Sequence, residues 1–121
     1  MVKALFDTNI LIDYLNAVPE ARAELALYPD KAISIITWME VMVGAAAGLA
    51  APTRDFLDGF ELVGLDERIA ARAVDLRRRH KIKLPDAVIW ASAQDRAMLL
   101  VTRNVKDFPA GDPGVRAPYA L

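Results

Sequence analysis

Asp7, Glu40, Asp86, Asn104 and Asp107 are the residues of this chain whose types and settings can do chemistry. Asp7 ends an apolar run, Glu40 stands just beyond a second one, Asp86 opens the segment leading into a third, and Asn104 and Asp107 follow that third run. Carboxylates gathered in one place repel each other and suffer from lost solvation. A divalent cation offsets both costs. A set of oxygen donors without histidine or cysteine suits Mg²⁺ or Mn²⁺ rather than zinc. Thr8, Asn9 and Thr102 lie beside these acids. Such short polar side chains orient carboxylates from behind, and equally they cap nearby backbone.

Each acid also has a plain structural reading. Thr37-Trp38-Met39-Glu40 has the form of a capping box, in which Glu40 bonds back to the Thr37 amide. Asp7 can cap the segment that follows it, and Asp86 beside Pro85 suits the first turn of a helix. The convergence of all of them is what favours chemistry over capping.

The elements that position these groups follow from periodicity. Residues 2–6 are apolar apart from Lys3, as in a strand buried on both faces of a parallel sheet. Ile10, Leu11, Tyr14 and Leu15 form a helical stripe over 9–16, and Pro19 opens a second helix over 19–28. Residues 31–36 read as strand two, followed by a long helix from Trp38 through the alanines to about Leu49, with Pro52 starting another over 53–60. Residues 62–65 suit a short strand, and Asp66 suits the N-cap of a helix over 67–80 with Ile69, Ala70, Ala73, Val74 and Leu76 inward. A helix over 86–97, a strand over 98–102 and an edge strand near 115–117 complete the chain. Strands alternating with helices predict an α/β fold, a three-layer α/β/α sandwich around a mostly parallel sheet of four to five strands. In such sheets ligands bind beyond the carboxyl ends of the strands, where Asp7, Glu40, Asp86 and the 104–107 segment would meet.

Other residues weigh less. Arg77, Arg78, Arg79, Lys81 and Lys83 suit a helix C-terminus, but they immediately precede Asp86 and could steer a phosphate towards it. Arg103 and Lys106 flank the last acid in the same way. His80 lies in the basic run and reads as a solvated helix-end residue. Gly44 and Gly48 recur at helical spacing after Glu40, as for tight helix packing, and Trp38, Met39, Met42 and Trp90 read as core or self-association surface.

With 121 residues, 55% hydrophobic, the chain is sized for one domain spanning 1–121. The absence of cysteine excludes disulfides and thiolate chemistry. No apolar run approaches the length of a membrane span, so the expectation is a cytoplasmic protein without a membrane partner. A net charge of −1 provides no global attraction to nucleic acid.

Leu5-Phe6-Asp7-Thr8-Asn9, Glu40 after a strand, Leu84-Pro85-Asp86-Ala87 and Val101-Thr102-Arg103-Asn104-Val105-Lys106-Asp107-Phe108 together resemble the PIN-domain proteins. More closely they resemble the VapC-type toxins of bacterial and archaeal toxin–antitoxin pairs, with the motifs in family order from Asp7 to Phe108. The resemblance implies a Mg²⁺- or Mn²⁺-dependent endoribonuclease, held inactive by a small antitoxin that also binds operator DNA. It implies a homodimer. The family's three main acids map onto Asp7, Glu40 and Asp86, while Asn104 and Asp107 compete for the fourth position. Hydrolysis by in-line attack of water would leave a 5′-phosphate and a 3′-hydroxyl.

Two rival readings share the acid-centred pattern. A small phosphohydrolase also carries an aspartate after strand one, but needs a second two residues later, where this chain has Asn9. A non-catalytic binding module would keep the fold without the chemistry.

Overall fold

A computed structural model describes residues 2–121. The order is β1 (Ala4–Phe6), α1 (Thr8–Leu15), α2 (Pro19–Ala26), β2 (Lys31–Ser34), α3 (Ile35–Gly44), a 3₁₀ turn (Ala47–Leu49), α4 (Ala50–Leu57), β3 (Glu61–Val63), α5 (Glu67–His80), α6 (Leu84–Asp95), β4 (Leu99–Val101) and β5 (Val115–Arg116). The sheet has five strands in the order β3-β2-β1-β4-β5. Every pairing is parallel. That bears out the three-layer α/β/α expectation and makes the sheet wholly parallel.

The pleat explains why the strands are apolar throughout. Side chains alternate between faces, so Leu5, Ala32 and Leu100 pack with Ile69, Ala73, Leu76 and Ile89 of α5 and α6. Ala4, Phe6, Ile33 and Val101 pack on the opposite face with Ile10, Leu11, Leu25, Val41 and Leu57 of α1 to α4. Trp90 and Phe108 meet edge-to-face at 5.8 Å and fill the first core. Burying a large apolar side chain there contributes roughly 1.5–3 kcal/mol. Among the described residues, no buried side-chain nitrogen or oxygen lacks a hydrogen-bond partner, and no helix is long and apolar enough to cross a membrane.

Several local expectations are corrected. β2 stops at Ser34, whose hydroxyl accepts from the Ile36 amide at 3.1 Å and caps α3. Ile35, Ile36 and Thr37 therefore lie in the helix, Glu40 stands in its second turn, and the Thr37–Glu40 capping box does not form. The long alanine helix breaks at Gly44, and α4 begins before Pro52, which occupies its first turn. Proline's missing N–H costs nothing there, because first-turn amides have no intrahelical partner. A Cβ at Gly44 or Gly48 would meet nothing within 4 Å, so neither glycine serves close packing. Asp66 caps α5 as expected, accepting from Ile69 at 2.9 Å, but Val74 is exposed.

Candidate active site

Parallel strands bring the ends of β1, β2 and β4 to one edge, and the N-termini of α1 and α3 begin there. The cleft at this edge, about 360 Å³, is lined by Asp7, Thr8, Asn9, Ile12, Glu40, Asp86, Arg103 and Asn104. Roomier hollows lie beside α1 and α2 (about 470 Å³) and at the opposite sheet edge (about 670 Å³). Neither gathers several carboxylates. The acidic cleft is open, a shape that admits a chain rather than enclosing a small molecule.

Asp7 is 4% exposed and fully engaged. Its Oδ1 accepts from the Thr8 amide at 2.8 Å, and its Oδ2 accepts from Thr102 Oγ1 at 2.8 Å and Asn9 Nδ2 at 3.2 Å. It is at once the N-cap of α1 and the deepest acid of the cleft. Burial pushes its pKa up to about 6; Thr102 and Thr8 oppose that, and the charges of Asp86 and Glu40 add to it.

Asp86 sits in the first turn of α6 behind Lys83 and Pro85, half-buried. Its pKa is raised first by burial and then by the charges of Asp107 and Glu40, while Lys83 opposes the shift. Asp7 and Asp86 thus both carry the charge of Glu40, and Asp86 that of Asp107 as well. Glu40 is held from α1: Thr8 Oγ1 lies 2.6 Å from Glu40 Oε1 and 3.0 Å from Thr37 Oγ1. One hydroxyl proton allows one donation, so Thr8 donates to the carboxylate and the buried Thr37 donates to Thr8.

Asn104 and Asp107 form a closed pair. Asn104 Nδ2 donates to Asp107 Oδ2 at 3.0 Å, and the Asp107 amide donates to Asn104 Oδ1 at 3.2 Å. Asn104 thereby spends its oxygen on backbone. Asn9 is committed too, since its Oδ1 accepts from the Arg103 amide at 3.2 Å while its Nδ2 serves Asp7.

The basic residues divide. Lys83 alone of the run acts electrostatically on Asp86. Arg77 donates to the Ile82 carbonyl at 2.6 Å, Arg78 is exposed in the last turn of α5, and Arg79 pairs with Asp75. Arg79 lines the opposite hollow with Val2, Leu99 and Gly114, beside the N-terminal ends of β1, β4 and β5. Arg103 borders the cleft, but its guanidinium is turned onto Asp13. The His80 ring lies tilted against Trp90, with centroids 4.7 Å apart. The sequence reading missed Asp13, Thr37 and Tyr119. Asp13 was legible one helical turn beyond Asn9, on the same face.

The donor set fits a hard divalent cation: carboxylate oxygens only, mutual repulsion, and a single neighbouring lysine as counter-charge. Among the described residues, no three acidic or histidine side chains stand close enough as placed to hold one ion. Glu40 is hydrogen-bonded to Thr8 and Asp107 to Asn104.

A family model described as PIN domain matches residues 4–110. Ribonuclease VapC10 of Mycobacterium tuberculosis (strain H37Rv) is 30% identical over 97% of this chain and 93% of its own length. A chain of a toxin–antitoxin complex from Klebsiella pneumoniae superposes with a TM-score of 0.93 at 51% identity, covering 98% of this chain and 99% of that one. A chain of DNA-bound VapBC from Salmonella typhimurium superposes with a TM-score of 0.76 at 27% identity, with 96% of each covered.

Proposed function

Because this chain belongs to the PIN-domain family, we propose that it is a divalent-metal-dependent endoribonuclease, the toxin of a type II toxin–antitoxin pair. The observation that carries the reading is the convergence of Asp7, Glu40 and Asp86 on one open cleft at the sheet edge, with Asp107 bonded to Asn104 of the same lining. Asp7, Glu40 and Asp86 would hold Mg²⁺ or Mn²⁺, with Asp107 rather than Asn104 as the fourth group, since Asn104 is bonded to Asp107 on both sides. When bound, the cation supplies charge neutralisation at the scissile phosphate and a more acidic water.

The chain's own residues supply the rest. Thr102 and Thr8 fix Asp7 from two directions. Thr8 fixes Glu40, and Lys83 provides the positive charge nearest Asp86 to meet an incoming phosphate. The single histidine lies against Trp90, so cleavage through the RNA 2′-hydroxyl by a histidine base is not served. Hydrolysis leaving a 5′-phosphate and a 3′-hydroxyl follows. An open acidic cleft suits a single-stranded or looped RNA whose backbone can be splayed into it.

The partner is a small antitoxin, supported by the likeness to chains of toxin–antitoxin complexes, one of them DNA-bound. DNA contact would come through that antitoxin. Exposed Met39, Val43 and Leu49 on α3 and the turn after it support a homodimer, and an RNA substrate would suit a cytoplasmic location. Cleavage of total cellular RNA by the purified protein, with and without Mg²⁺ or Mn²⁺ and beside Asp7→Asn, tests the reading. Discrete fragments that require the metal and vanish in the variant are expected; identical traces from parent and variant would overturn it.

A further inference from the structure

We propose that Arg103 is a positioning residue that acts through Asp107: clamped on the buried carboxylate of Asp13 and buttressed by Tyr119, it sets the segment 102–107, whose Asn104 lines the cleft and holds Asp107. The inference rests on the nuclease reading above and deepens it.

Arg103 stands between Thr102, which bonds Asp7, and Asn104, which holds Asp107. The chain bends at Arg103, just beyond β4, and the side chain turns to α1. Its Nε donates to Asp13 Oδ2 at 2.8 Å and its Nη2 to Asp13 Oδ1 at 3.1 Å. This two-point planar geometry fixes orientation as well as distance. Its amide is held by Asn9. Main chain and side chain of one residue are therefore both fastened to α1, the helix that Asp7 begins.

Asp13 is only 5% exposed and takes no part in the cleft. Its remaining partner is the Tyr119 hydroxyl, which donates to Oδ2 at 2.8 Å and brings the C-terminal residues onto α1. A guanidinium spent on a buried carboxylate is poorly placed to bind RNA. Its consequence is geometric: Asp7 and Asp107, from opposite ends of the chain, are referred to one rigid helix.

The test uses full-length Arg103→Lys, Tyr119→Phe and Asp107→Asn proteins and the Arg103→Lys/Asp107→Asn double variant. Mn²⁺ binding is measured by calorimetry without RNA, alongside melting in EDTA and separate kcat and KM values. Arg103→Lys keeps the charge and loses the fork, so Mn²⁺ affinity should fall roughly tenfold, the range for outer groups supporting metal ligands. kcat should fall while KM holds. Tyr119→Phe should weaken Mn²⁺ binding less than Arg103→Lys does, with near-parental melting. In the Asp107→Asn background, Arg103→Lys should change Mn²⁺ affinity by less than about twofold, because groups that act through one another are not additive.

A raised KM with unchanged Mn²⁺ affinity would make Arg103 an RNA contact, and equal losses in both backgrounds would make it a general scaffold residue; either overturns the proposal. If Arg103→Lys does not fold, parental Mn²⁺ affinity in Tyr119→Phe overturns it. A parent that neither binds Mn²⁺ nor cleaves RNA removes the nuclease reading, and this inference with it.

Discussion

Thr102 Oγ1 donates to Asp7 Oδ2 at 2.8 Å, joining the ends of two adjacent parallel strands through a buried hydrogen bond. The same oxygen accepts from the Asn104 amide at 3.0 Å. The residue therefore stabilises the charge on the deepest acid and begins the turn that presents Asp107. Burial favours the neutral form of Asp7, and the Thr102 bond is the largest influence opposing it.

Thr102→Val keeps the shape and removes that donor. The ionised form of Asp7 then loses its best partner, so its pKa should climb above the present value of about 6. Cleavage at neutral pH should fall and recover in alkaline buffer, the acidic limb of the pH–rate profile having moved upward. Stability should drop by about 1–2 kcal/mol, as for a buried amide left without its acceptor. An unmoved acidic limb would mean that Asp7 does not govern it.

Melting of the metal-free protein should depend on pH in an unusual direction. A carboxyl whose pKa is raised by folding holds its proton more tightly in the native state, so stability falls as pH rises from its ordinary 3.8 to about 6 and levels off above. The whole effect is roughly 3 kcal/mol, taking 1.36 kcal/mol for each pKa unit; about 1 kcal/mol of it falls between pH 5 and pH 7.5. Asp86, also raised, acts in the same sense. Thermal scans in EDTA should show lower midpoints at the higher pH, and saturating Mn²⁺ should erase the difference by binding the ionised native form.

Asp7→Asn should stabilise the metal-free protein at pH 8 while abolishing cleavage. It removes a desolvated charge and the repulsion from Asp86 and Glu40, and loses part of the Thr102 interaction, worth about 1 kcal/mol. A net gain of about 1–2 kcal/mol in urea unfolding is expected. Destabilisation instead would identify Asp7 chiefly as the cap of α1.

The backbone order was legible because local and global preferences agree. Asp66 caps where a helix must start, and the apolar runs at 4–6 and 99–101 need two covered faces. The boundary at Ser34 was not, because Ile35 and Ile36 favour a strand by type and only the Ser34 cap turns them into helix. The acids of the site could be named from the ends of runs. The clamp on Arg103 could not, because Asp13 and Tyr119 meet across 106 residues of sequence. Beside an acid, an arginine reads equally as a ligand-binding group.

The basic residues should separate by place rather than by charge. Lys83 acts on Asp86 across the rim of the cleft, whereas Arg79 is exposed on Asp75 and borders the hollow at the far sheet edge. Lys83→Ala should raise KM several-fold and flatten its dependence on ionic strength, because one phosphate contact is lost. Arg79→Ala should leave both kcat and KM unchanged. Matching KM increases in the two variants would point to a diffuse field in place of a local contact.

Asn104→Asp separates the two candidates for the fourth position. Asn104 now donates to Asp107 Oδ2 at 3.0 Å. An aspartate there loses the donor and sets two carboxylates in contact, one of which then resists ionisation. If Asp107 is the group that faces the cation and Asn104 only holds it, the substitution should weaken Mn²⁺ binding and lower metal-free stability at pH 8 by about 1–2 kcal/mol. If Asn104 itself were the ligand, the added charge would tighten Mn²⁺ binding instead. Calorimetry on the two proteins therefore gives opposite signs for the two assignments. The closed bonding of Asn104 to Asp107, at side chain and at backbone, favours the weaker binding.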